Sequence, residues 1–300
     1  MAKYGIPYQG SKSGIADSLI TFLPRGKRFV DLFGGGAAMS DCALRSGKYD
    51  RVFYNELNPL LCDLIKRAIS GEFSYECFKP EFISREEFGQ CKDQDGYVKW
   101  VWSFGNDGES YLFSKEIEPQ KRSLHNYVVF GVKDEFIKAH FNDIDKFVIG
   151  EDIRKRRLLL RRYMQMKKAR RPHMELQQLE QLQQLQQLER LQQLEQLQQL
   201  EQLEQLEINC GSYLDYEYQD GDVVYCDPPY EGTTGYNQTK FNHKQFYDWV
   251  ASRPYQVFFS SYKISDKRFK MIWAKSKQNL MGGAEGQFKN YECLYTNKDS

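Results

Sequence analysis

The stretch from Lys27 to Gly71 constrains the fold more than any other part of the chain. KRFVDLF, residues 27–33, reads as a short buried strand running into the glycines Gly34 to Gly36. AAMSDCALRSG behind it has helical character and stops at Gly47. RVFYNE repeats the strand signal, and NPLLCDLIKRAISG repeats the helix signal as far as Gly71. Two strand–helix units with short connections predict an α/β fold, a parallel sheet with crossover helices. The rhythm breaks over residues 72–150, which are rich in aromatics, glycine and charge without steady alternation. It resumes after about residue 207 with EINCGSYL, DVVYCDPPY, HKQFYDWVASR, YQVFFSSY and an aromatic-rich, hairpin-like end. The expected organisation is therefore a sheet domain from 1–70 and 207–300, with residues 71–174 inserted as a region of their own small fold.

Between the insert and the second half lies a repeat, 175–206, with leucine at every third position from Leu176 to Leu206. Leu, Gln and Glu favour helix. A period of three steps back about 60° per leucine around an α-helix, so the apolar stripe winds around the cylinder and holds no coiled-coil seam. A 3₁₀ helix or a narrow solenoid would align the leucines instead, although long 3₁₀ runs are uncommon. A spacer without chemistry is the favoured reading, with self-association through its leucines as a further expectation.

The net charge of +1 averages unlike parts. Residues 175–207 hold seven Glu and one Arg, so the rest of the chain is basic. Ten Lys or Arg fall between Arg154 and Arg171, a composition suited to tracking phosphates or to a plain solvated helix face. No apolar run reaches the roughly 18 residues of a membrane span, and MAKYGIPYQGSK is no signal peptide. The seven cysteines are odd in number and lack zinc-ligand spacing, and the four histidines are scattered. An intracellular protein without a metal site or membrane partner is expected.

The chemistry concentrates at three places. FVDLFGGGAAMS puts a strand, an acid and three glycines ahead of a helix, an arrangement that lets a ligand approach backbone at a helix N-terminus. Met39 stands where G-x-G-x-x-G would need its last glycine, so dinucleotide binding is poorly supported. The second strand ends in Glu56, about twenty residues after the glycines, where Rossmann-like sheets hold a ribose diol. The third place is Asp227-Pro228-Pro229-Tyr230, behind the β-branched run DVVYC. A structural turn needs one proline at most.

An exocyclic amine on a base explains the excess. Its lone pair is delocalised into the ring, so it needs two acceptors that hold its N–H bonds and pull the nitrogen towards tetrahedral geometry. Asp227 supplies a carboxylate and Pro228 a backbone carbonyl, which Pro229 stiffens. Tyr230 offers a ring for stacking a flipped base, worth about 1–3 kcal/mol. A sulfonium methyl donor, S-adenosyl-L-methionine, completes the reaction by alignment in a dry site, without metal or covalent enzyme intermediate.

At these residues the sequence resembles the Dam-type (D12 class) DNA adenine-N6 methyltransferases, over roughly 4–70 and 207–297. The resemblance implies a Rossmann-like S-adenosylmethionine-dependent sheet, a cytoplasmic bacterial or phage-encoded enzyme, and double-stranded DNA as partner. The opening motif matches Tyr8-Gln9-Gly10-Ser11-Lys12. It implies that Tyr8 and Lys12 line the cofactor pocket, with Lys12 near the methionine carboxylate. Phe33, Gly34 and Gly36 match the F-x-G-x-G-type motif, with Ala37 where a further glycine is often seen. Asp31 would face the methionine amino group. Glu56-Leu57-Asn58-Pro59 matches the acidic D-x-N-P motif, with Glu for Asp. Ser212 and Tyr213 match the adenine-ring contacts, and Asp227 borders both cofactor and base. Tyr236 and Phe241 fall where the family closes a loop over the target base. The middle region would be the target-recognition domain, with Asn106, Lys115, Lys121 and Arg122 available for phosphates or base edges. The expected activity is transfer of methyl to N6 of a flipped adenine. Alternatives are an RNA or protein-glutamine amino-methyltransferase, or a non-catalytic nucleic-acid-binding scaffold.

Overall fold

The computed structural model describes residues 3–6, 8–74, 76, 78–141, 143–146, 148, 150, 152–169, 206–231, 241–277 and 290–298. Almost all of the leucine repeat and Tyr236 lie outside the described residues. The chain divides into two compact units. One holds Gly10–Lys66 with the described residues of 1–6 and 202–300; the other holds residues 8 and 9 and the described residues of 67–201.

The first unit is built on a seven-stranded sheet: β1 (Arg28–Asp31), β2 (Arg51–Glu56), β3 (Leu206–Cys210), β4 (Asp222–Cys226), β5 (Val257–Ser261), β6 (Lys270–Lys277) and β7 (Asn290–Thr296). Their order across the sheet is β3-β2-β1-β4-β5-β7-β6. The first five strands pair in parallel, and β7 runs antiparallel to both β5 and β6. The α/β expectation holds, and the hairpin-like end is the antiparallel β6/β7 pair. EINCGSYL is only half strand. Ser212 accepts the Leu214 amide and caps a 3₁₀ turn over Tyr213–Asp215 instead.

β1, β4 and β5 are buried throughout, as parallel strands covered on both faces should be. Val30, Val224, Val257 and Phe259 share a core with Phe246, Trp249 and Val250 of helix α8 (His243–Ser252). Helix α1 (Ala16–Phe22) precedes β1, α2 (Ala38–Arg45) links β1 to β2, and α3 (Pro59–Ile69) follows β2. The chain turns towards β2 after β1 and towards β5 after β4. The boundary between these strands is thus a topological switch point, whose carboxyl end is where open α/β sheets take ligands.

The opposite end is pinned by charge. Arg28 donates two hydrogen bonds to its register partner Asp222, at 2.8 and 2.7 Å, and both side chains are buried. Tyr216 and the Gln219 amide also donate to that carboxylate. Asp222→Ala strands a buried guanidinium and is expected to cost roughly 3–5 kcal/mol of stability. A lowered urea midpoint at unchanged slope would be the readout; an unchanged midpoint would refute it.

The second unit contains α4 (Arg85–Cys91), α5 (Glu118–Phe130), α6 (Glu135–His140) and α7 (Ile153–Ala169). Its core is aromatic: Phe82 meets Trp102 and His125 edge-on at 5.2 and 5.7 Å, and Phe73 stacks on Tyr97 at 5.4 Å. Such packing needs no periodic apolar pattern, which is why this stretch looked irregular as sequence. α5 starts with Pro119 in its first turn and stops at Gly131, in the left-handed region at φ 73°.

Candidate active site

β1 delivers Asp31 to the switch point. Its side chain is buried, and the Ser40 hydroxyl on α2 donates to Oδ2 at 2.8 Å. Oδ1 has no hydrogen-bond partner among the described residues. Burial pushes the Asp31 carboxyl up to about 7, against the Ser40 hydroxyl and with help from the nearby Asp227 charge. A buried, half-satisfied carboxylate fits a cationic ligand group.

The glycine loop is knitted to the end of β2. The Gly34 amide donates to the Asn55 carbonyl at 2.8 Å, and Tyr54 donates its hydroxyl to the Gly35 carbonyl at 2.8 Å. A Cβ on Gly34 would lie 2.1 Å from the Tyr54 ring, so that glycine is needed for packing as much as for any ligand. Ala37 has φ 60°, a glycine-like backbone where the family pattern often has glycine. The Gly36 carbonyl accepts the Ile6 amide. Glu56 accepts the Gly35 amide at 3.0 Å on one oxygen and the Asn58 amide at 2.9 Å on the other. Burial raises the Glu56 pKa, and the amides of Asn58, Gly35 and Leu57 oppose it.

Asp227 leaves the end of β4 beside Lys12, whose ammonium lies 2.7 Å from Oδ2. The same ammonium is 3.3 Å from Glu292 Oε1 and 4.8 Å from the centre of the Tyr230 ring. The Tyr230 hydroxyl makes a very short hydrogen bond to Glu292 Oε1 and a longer one, 3.2 Å, to Asp227 Oδ1. His243 Nε2, at the start of α8, donates to the Pro229 carbonyl at 2.8 Å. The preceding carbonyl, of Pro228, receives no donor among the described residues. Burial raises the Asp227 pKa, Lys12 opposes it, and Glu292 adds to it.

The structure thus brings Lys12, Asp31, Glu56, Asp227 and Tyr230 into the first unit. It places Lys12 on the Asp227 carboxylate, whereas the family pattern suggested the methionine carboxylate. Tyr8 groups with the second unit, its ring 6.0 Å from Trp100. Phe33, Tyr213 and Phe241 form an aromatic cluster on α8, with Phe33 at 5.1 Å from Tyr213 and 5.8 Å from Phe241. Phe241 is therefore packed rather than held out as a lid. Among the expected DNA contacts, Lys115 is exposed and Arg122 is half-exposed over the Phe82 ring. Asn106 donates to the Trp100 carbonyl. Lys121 corrects its expectation: it is 2 % exposed, its ammonium against the Phe113 ring, and does not face solvent. Glu292 was missed. Its one signal is a lone acid in the otherwise uncharged strand NYECLYT.

An adenine-specific methyltransferase family model, described as D12 class N6 adenine-specific DNA methyltransferase, matches residues 8–282. The chain belongs to this family. No curated protein matches it. The methyltransferase therefore acts on adenine N6 in DNA in a site-specific manner, and neither fold nor family favours an RNA, glutamine or scaffold role. Among the described residues, no cluster of His, Cys, Asp and Glu could hold a metal ion, and no helix is long and apolar enough to cross a membrane.

Proposed function

We propose that the carboxyl ends of β1, β2 and β4 hold S-adenosylmethionine and a flipped adenine against one another. Asp31, with its unpartnered buried oxygen, takes the α-ammonium of the methionine moiety. Glu56 takes the ribose hydroxyls, and the neighbouring Leu57, 71 % exposed, offers an apolar face to the adenine ring. When bound, this cofactor supplies an electrophilic methyl on a sulfonium, whose carbon–sulfur pair returns to sulfur as the nitrogen–carbon bond forms.

The chain's own residues prepare the amine. Asp227 Oδ1 and the Pro228 carbonyl each accept one N6 hydrogen, which localises the nitrogen lone pair and stabilises the positive charge that develops on N6 as the bond forms. The methylated nitrogen then releases one of those protons through Asp227 Oδ1 to solvent. Lys12 favours the ionised form of Asp227, in opposition to its burial. Tyr230 supplies the ring for the extruded base, which must leave the duplex to reach this corner. In the second unit, α7 exposes Arg154, Lys155, Arg161 and Arg162, and we assign it to the DNA backbone, giving salt-sensitive affinity.

The carrying observation is the pair of acceptors at the end of β4, a carboxylate held by Lys12 beside a carbonyl that no described group occupies. Incubation with methyl-labelled S-adenosylmethionine and mixed-sequence duplex should yield N6-methyladenine after nuclease digestion. Label found only in RNA or protein would reject the assignment.

A further inference from the structure

Lys12, Asp227, Tyr230 and Glu292 close a ring of contacts in which two carboxylates share one ammonium and one phenol. Glu292 is 4 % exposed, on the antiparallel strand β7. A phenol carries a single proton, and here two acceptors compete for it. The contact to Glu292 Oε1 is much the shorter, while Asp227 Oδ1 stands 3.2 Å from the same oxygen. The phenol proton is therefore directed mainly at Glu292, with Asp227 Oδ1 the weaker of its two acceptors.

That choice matters because Asp227 is the acceptor for the target amine. Its Oδ2 is already paired with Lys12 at 2.7 Å. Were the Tyr230 proton donated mainly to Oδ1, both oxygens would carry strong donors, and the carboxylate would be a poorer acceptor of the amine hydrogens. We propose that Glu292 is a positioning residue for methyl transfer: it draws the Tyr230 hydroxyl and part of the Lys12 charge to itself, leaving Asp227 Oδ1 directed at adenine N6. The inference rests on the reading of Asp227 as the amine acceptor. Glu292 also acts through space, since its negative charge raises the proton affinity of Asp227. Two buried acids around one lysine cost stability, a cost that packing alone does not explain.

The test uses the full-length protein, a duplex substrate and single-turnover measurement across pH. Glu292→Gln keeps the volume and a carbonyl acceptor but removes the charge. It is expected to slow methyl transfer about 10- to 100-fold at saturating substrates. The KM values for cofactor and DNA should stay within about threefold, since the residue reaches neither ligand directly. The acid limb of the rate profile should move down by roughly one pH unit, because Asp227 loses a like-charged neighbour and ionises more easily. Glu292→Asp, which keeps the charge, should hold the limb in place.

In a Tyr230→Phe background the Glu292→Gln loss should shrink at least about threefold, since no phenol proton remains to be redirected. Tyr230→Phe alone should raise the acid limb by less than about half a pH unit, since the phenol is only the weaker donor to Asp227 Oδ1 at 3.2 Å. An upward shift of that limb by a unit would mean that the phenol serves Asp227, and would overturn the proposal even if Glu292→Gln failed to fold. A wild-type rate and limb in Glu292→Gln, an effect confined to KM, or an undiminished loss in the double variant would overturn it too. Should Asp227→Asn retain activity, the reading of Asp227 falls instead, whatever Glu292→Gln does.

Discussion

Asp227→Asn is expected to lower the single-turnover rate of N6 methylation by about 10²- to 10³-fold, with the fold intact. The substitution replaces a charged acceptor by an amide that can turn a donor towards the amine. Removing one preorganised partner of a developing charge typically costs about 3–4 kcal/mol, which is that factor. Lys12 does not become a stranded charge, because Glu292 stays 3.3 Å from its ammonium. Loss of activity should therefore come without loss of structure. The measurement is N6-methyladenine formed per enzyme at saturating donor, beside a circular dichroism melt. A rate within tenfold of wild type would remove Asp227 from the chemistry. The wild-type rate should also fall as the pH drops, from a higher pH than an ordinary carboxylate would give, since burial raises the pKa of the proposed amine acceptor.

Asp31→Asn should do two opposite things. Its carboxyl sits at about 7 in the folded protein, against an ordinary value of 3.8. Between those values the native state holds a proton that the unfolded chain has released. Ligand-free stability therefore falls as pH rises from about 4 to 7, and stays low above that. Asparagine has no charge to desolvate. The variant should be more stable than wild type by roughly 2–4 kcal/mol at pH 8 and equal to it near pH 4. At the same time S-adenosylmethionine affinity at pH 8 should drop about 100-fold, the worth of a buried charged hydrogen bond. Wild-type affinity should rise with pH up to about 7 and then level, because only the ionised acid pairs with the ammonium. Calorimetric titrations and melts between about pH 4 and 8.5 read all of this. Affinity independent of pH, with unchanged stability in the variant, would show that Asp31 does not meet the cofactor. Stability surrendered at a ligand-binding acid is a familiar exchange in enzymes.

Residues near in sequence were the legible ones. β2 spans RVFYNE as read, because alternation and the flanking turn signals are local, and α3 differs from its reading by only a residue or two at each end. The corner after β4 stands out in the sequence because two prolines and an acid follow a buried strand, and the structure sets Asp227 there beside Lys12. The glycine loop and Glu56 were found separately; the hydrogen bond from the Gly35 amide to Glu56 joins them. Glu292 was invisible because its meaning lies in contacts with Lys12 and Tyr230, which depend on β7 being the neighbour of β5. Lys121 was misread for a different reason. A lysine early in a helix looks solvent-facing until an aromatic floor takes its ammonium. The second unit resisted altogether, since its core is held by edge-on rings rather than by a stripe of aliphatic residues.

The placement of β7 between β5 and β6 makes the last described strand an interior one. β6 precedes β7 in the chain but, among the described strands, pairs with β7 alone, so its place in the sheet depends on the segment that follows it. Loss of residues 290–296 would detach β6 from the sheet and take Glu292 from beside Lys12, while the five parallel strands keep their own pairings.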